Sequence, residues 1–113
     1  MLFIQDNIVY LTRGDSASLV VTIKDLDGNV YTLQTGDELM FTMKVNCETD
    51  EAVLSKDITA DSTITILPSD TENLRYGDYV FDVQLTQAGG EVYTVIPPSI
   101  LRIAKEVTFG GTP

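Results

Sequence analysis

Arg13-Gly14-Asp15 sets a guanidinium and a carboxylate on either side of a glycine. On a projecting loop that spacing would present the carboxylate to a receptor-bound metal ion with the cation beside it, the chemistry of an adhesion tripeptide. Arg13, Gly14 and Asp15 are therefore the adhesion candidates. The Gly-Asp pair recurs without the arginine, at Gly36-Asp37 and Gly77-Asp78. Each copy stands ahead of an alternating apolar run: Ala17, Leu19, Val21 and Ile23, then Leu39, Phe41, Met43 and Val45, then Tyr79, Phe81, Val83 and Leu85. Glycine reaches positive φ without a steric penalty and aspartate bonds its own backbone, so the pair turns the chain into a strand. Turn chemistry is the first reading of all three copies. On that reading Arg13→Ala is nearly neutral.

Other groupings offer little chemistry. The chain has no histidine, so the commonest general base is missing, and with it any Ser-His or Cys-His pair. The carboxylate pairs Asp25/Asp27 and Asp50/Glu51 lie in polar stretches with nothing apolar to raise a pKa. Cys47 stands between Asn46 and Glu48, without the cationic neighbour that makes a reactive thiolate. Asp25-Leu26-Asp27-Gly28-Asn29 faintly resembles a calcium loop, but the spacing puts Ile23 where the first oxygen ligand belongs. A hairpin turn accounts for it better. No catalytic, cofactor-binding or metal-binding residue is assigned, and the chain is expected not to be an enzyme. Tyr31, Tyr76 and Tyr93 could form a patch for a partner, although core and edge packing would explain them equally.

At 113 residues the chain is long enough for one core without staples. A single domain is expected over 1–109, with 110–113 as a flexible tail. Seventeen acidic residues against seven basic ones give a net charge of −10, in no block of like charge. Such a surface repels phosphate backbones and anionic lipid, so neither nucleic acid nor membrane is an expected partner. One cysteine excludes an intrachain disulfide and suits a reducing compartment. Met1 to Asp6 lacks the basic and apolar stretches of a signal peptide, and no run is long enough to span a bilayer.

Strands are read at Asn7–Thr12, Ala17–Lys24, Val30–Leu33, Leu39–Val45, Ala52–Ile58, around Ile64 and Ile66, Tyr79–Thr86, Glu91–Ile96 and Ile100–Phe109. Asp27-Gly28 signals a two-residue hairpin loop, and Ala88-Gly89-Gly90 another hairpin. Ser69 and Glu72 have capping-box spacing, which predicts one short helical turn near residues 69–75 with Leu74 reaching inward. Pro97-Pro98 remove two donors and suggest a strand that changes sheets and runs at an edge. About seven to nine short strands with frequent turns predict an all-β fold, an immunoglobulin-like antiparallel β-sandwich. Gly77-Asp78-Tyr79-Val80-Phe81 after a helical turn has the layout of a tyrosine corner, making Gly77 and Tyr79 the structural corner. Phe81 stands in the place of the inter-sheet cysteine.

Three segments, Val9–Asp15, Gly36–Lys44 and Leu74–Val83, resemble the small immunoglobulin-like phage and prophage proteins of Gram-positive hosts, notably the N-terminal domain of baseplate upper proteins. The resemblance runs roughly over residues 7 to 109. It implies a non-catalytic structural or attachment module of a virion (tail, baseplate or capsid surface) that binds other virion or tail proteins and can form a homo-oligomer. It also implies residence in the host cytoplasm during assembly and in the particle afterwards. Edge strands are natural subunit contacts. Leu2, Phe3 and Ile4, or the strand from Ile100, are the expected ones, and the Asp27-Gly28 tip is not. The alternative is a host-surface adhesion domain using the Arg13-Gly14-Asp15 turn.

Overall fold

Alternation builds the core. In the strand Glu38–Lys44, Leu39, Phe41 and Met43 are buried, while the residues between them are half-buried on the other face. In Gly77–Thr86, Tyr79, Phe81, Val83 and Leu85 do the same. These two strands pair antiparallel, so their buried residues form one continuous apolar surface, with the Phe41 and Phe81 rings 5.7 Å apart.

A computed structural model of the chain describes residues 2–5 and 8–105, the first of these stretches by its backbone alone. Its strands are β1 (Leu2–Gln5), β2 (Ile8–Thr12), β3 (Ala17–Val20), β4 (Glu38–Lys44), β5 (Leu54–Asp57), β6 (Thr63–Ile66), β7 (Gly77–Thr86) and β8 (Val92–Ala104). One helical turn, α1 (Pro68–Thr71), lies between β6 and β7. The large sheet runs β1-β2-β8-β7-β4-β5, and β3-β6 form a second, small sheet. Val9, Leu11, Leu101 and Ile103 from the large sheet meet Ile64 and Ile66 from the small one in a single core. The molecule is an all-β sandwich, with β7 between β4 and β8 and with β3-β6 opposite, the arrangement expected of an immunoglobulin-like fold.

Several expectations change. The sandwich is mixed, because β2 runs parallel to β8, Ile8 facing Ile100 and Thr12 facing Ala104. Pro97 and Pro98 do not send the strand to another sheet or to an edge. β8 continues through them, and from Ile100 to Ala104 it lies between β7 and β2. The two prolines together face Asp82, forming a bulge where the ladder needs no donors. Ile100–Ala104 is therefore interior, and 106–109 lie outside the described residues, as does the 110–113 tail. Val30–Leu33 is no strand beyond one bridge from Val30 to Lys24.

The hairpin tip is also different. Gly28 donates its amide to the Asp25 carbonyl and Asp25 donates to Asn29, so the loop holds three residues and Gly28 has φ +85°. The Asp25 carboxylate selects this form by accepting the amides of Asp27 and Asn29. The β7-β8 loop repeats the bonding with Gln87, Gly90 and Glu91. Helix α1 starts a residue early, at Pro68. Asp70 rather than the Ser69/Glu72 pair closes its first turn, accepting the Leu67 amide at 2.7 Å.

Candidate functional site

Gly14 and Gly36 sit in turns of one construction. Asp15 donates its amide to the Thr12 carbonyl and Asp37 to the Gln34 carbonyl, with the glycine third in each turn at φ +83° and +91°. Positive φ at that place alone makes both type II. Gly77 is different: it is the first residue of β7, at φ +131°.

The Arg13-Gly14-Asp15 turn is half-buried against the segment after α1. The Gly14 amide donates to the Thr71 hydroxyl at 2.8 Å, and Thr71 is fully buried. Arg13 donates Nη1 to the Leu74 carbonyl at 3.1 Å, and its guanidinium lies 4.2 Å from the centre of the Tyr76 ring. An adhesion loop needs this cation projected into solvent; here it fastens β2 to the approach of β7. Beside it, Tyr79 is buried and its hydroxyl donates to the Arg75 carbonyl at 2.8 Å, the bond of a tyrosine corner.

Asp37 holds the opposite end together. Its carboxylate accepts the Tyr31 hydroxyl, the Gln34 amide at 2.8 Å and the Ala88 amide at 3.3 Å. The Tyr31 hydroxyl first, then the two amides, hold its carboxyl below the ordinary range against the opposing effect of lost water. The same bond raises the Tyr31 phenol. On the outer sheet face Arg102 clamps Asp78 through two bonds, at 2.6 and 3.0 Å, and reaches the Tyr10 hydroxyl at 3.2 Å. The guanidinium lowers the Asp78 carboxyl, and the carboxylate raises Arg102 further. These polar groups join elements to one another.

Asp25 turns its carboxylate onto its own loop amides, and no group of three or more possible metal ligands occurs among the described residues. Cys47 is exposed at a cavity of about 290 Å³ on the outer face, beside Lys44 and Asp82.

The three tyrosines separate. Tyr76 stands before the first residue of β7, and Tyr93 pairs with Leu85 near its last, roughly 30 Å away at strand rise. Tyr31 and Tyr93 both line one groove, of about 590 Å³, between the Lys24–Val30 hairpin and β8. Leu26 and Tyr93 on its rim are exposed. Leu26 is a groove residue inside what the sequence presents as a turn, and an apolar side chain in an otherwise polar Asp-Leu-Asp-Gly-Asn tip is its one signal in the chain. Leu2, Phe3 and Ile4 form the outer strand of the large sheet, pairing with Leu11, Tyr10 and Val9 of their own chain.

Neither protein-family models nor curated proteins match this chain. Its surfaces must be read from their own chemistry. No helix among the described residues is long and apolar enough to cross a membrane.

Proposed function

We propose that the chain is a non-catalytic structural or attachment module of a phage or prophage virion, acting in tail, baseplate or capsid surface by protein–protein binding. The observation that carries this reading is where polar and apolar groups lie. Arg13, Asp37, Asp78 and Arg102 bond within the fold, whereas apolar side chains are exposed around an open groove at one end. Exposed Leu26, Val92 and Tyr93 on an otherwise acidic molecule suit a surface that another protein covers. The resemblance to baseplate domains supplies the virion context. Binding partners are then neighbouring virion or tail proteins, and the outer edge of β1, which no strand among the described residues covers, is a second contact available to another copy.

Particle composition tests the proposal. Virions purified by density gradient from the producing strain are expected to contain the chain at a fixed ratio to the other virion proteins. A chain found wholly in the soluble fraction, with complete particles lacking it, overturns the reading.

A further inference from the structure

β8 is covered on only part of its length. β2 pairs with Ile100–Ala104, so Val92–Ile96 has β7 on one side and, among the described residues, no strand on the other. The direction of its backbone groups follows from the hairpin. Gln87 and Glu91 form a hydrogen-bonded pair, so by the alternation of an antiparallel ladder Val92 and Thr94 turn their amides and carbonyls away from β7. On the facing rim Val21 donates to Ser62 and Ile23 accepts from Tyr31, so by alternation the Thr22 and Lys24 backbone groups turn away from those partners, and both residues line the groove. Between the two rims lies the 590 Å³ groove, floored by Ile23, Tyr31, Leu85 and Val95 and flanked by Leu26 and Tyr93.

We propose that the Val92–Ile96 edge is a strand-addition site. It takes an extended segment of a partner protein whose alternate apolar side chains enter this groove and whose ends carry Lys or Arg. The proposal deepens the assembly reading and rests on it. Unpaired strand backbone calls for another strand, and a groove beside it reads every second side chain. Charge chooses the partner. Among the described residues Asp25, Asp27, Asp37 and Glu91 lie at this end, with Lys24 the cation lining the groove, on a chain of net charge −10. A second copy would bring the same charge to the same place, whereas a basic-flanked segment meets its complement.

The probe is a ten-residue peptide of alternating valine and threonine with two lysines at each end, followed by amide NMR and hydrogen exchange. In the free protein the Val92 and Thr94 amides are expected to exchange as open-edge amides, then to gain about tenfold protection or more on saturation with peptide. The same peptide flanked by glutamates is expected to bind at least about tenfold more weakly at low salt. Thr94→Pro removes an outward donor while sparing the ladder to β7, and should abolish binding with the fold retained. Leu26→Ser, which removes the apolar flank at a fully exposed position without adding charge, should weaken binding independently of any backbone change. Protection of Val92 and Thr94 in the free chain overturns the proposal, as does absence of binding at millimolar peptide. A dimer that Thr94→Pro disperses assigns the edge to a second copy and overturns it too. Normal incorporation of Thr94→Pro into particles sinks this site while leaving the assembly reading intact; absence of the wild-type chain from particles sinks that reading instead.

Discussion

At Gly36 a Cβ would lie 2.8 Å from the Ala88 Cβ, and φ is +91°. At Gly14 φ is +83° and nothing stands within 4 Å of the same added atom. The two glycines occupy equivalent turns, so comparing their alanine variants separates backbone strain from crowding. Gly14→Ala is expected to cost about 1 kcal/mol, the strain alone. Gly36→Ala should cost roughly 2–3 kcal/mol, because the Gln87–Glu91 hairpin must also give way. Adding Ala88→Gly should bring Gly36→Ala back to about the Gly14→Ala value, a non-additivity that urea unfolding would measure. Equal costs for the two single variants would show that the turn adjusts without strain at Ala88. Arg13 has partners of its own, which change the expectation for it. With a carbonyl and an aromatic face as its partners, Arg13→Ala should destabilise by about 1 kcal/mol rather than be neutral.

Among the elements, alternation made β4 and β7 legible from the chain alone, because each has one face in the core and one in solvent. The Tyr79 corner was legible for a similar reason: a phenol placed among buried residues needs a partner, and the Arg75 carbonyl is the one within reach. Pro97-Pro98 misled because missing donors exclude a proline from a regular ladder, not from a bulge inside a central strand. Val30–Leu33 misled because alternation does not make a strand where pairing stops after one bridge: beyond Val30–Lys24 and the Tyr31 amide on Ile23 the segment turns toward Asp37, which takes the Tyr31 hydroxyl. The groove was not legible at all. It depends on where β2 stops along β8, and no local pattern encodes that register. One prediction belongs here. Thr71 joins α1 to the Gly14 turn from a fully buried position, so Thr71→Val keeps the shape and leaves the Gly14 amide unmatched. The expected cost is about 1–3 kcal/mol, with the Thr12–Ser16 amides losing exchange protection before the rest. Uniform loss of protection would deny the turn its local anchor.

Over the whole molecule, two electrostatic effects oppose each other as acid is added. The chain has seventeen carboxylates, seven cationic side chains and no histidine, so its protonation changes little between about pH 5 and 8. Below that range, protonating carboxylates first relieves the repulsion of a net charge of −10. That gain is spread over exposed groups and screened beyond about 8 Å at physiological salt, so it is small. Asp37, Asp57, Asp70 and Asp78 act in the other direction. Each has a folded-state pKa held down by named donors: Tyr31 for Asp37, Thr59 for Asp57 and Arg102 for Asp78. At Asp70 lost water favours the neutral acid, but the Lys56 ammonium at 2.8 Å and the Leu67 amide together prevail. A depressed carboxyl stabilises the fold fully above its unfolded pKa, near 4, and loses that contribution as pH falls through the lower folded value. Urea midpoints are therefore expected to stay nearly flat from pH 8 to about 5, to rise at most slightly just below 5 at low salt, an increase that added salt removes, and to fall steeply below about pH 4. Asp37→Asn should lower stability at neutral pH, because the amide is a poorer acceptor for Tyr31 and two backbone donors. It should also flatten the acid limb, since one depressed group no longer titrates. An Asp37→Asn curve parallel to wild type down to pH 2 would mean that the acid limb belongs to the other three carboxylates.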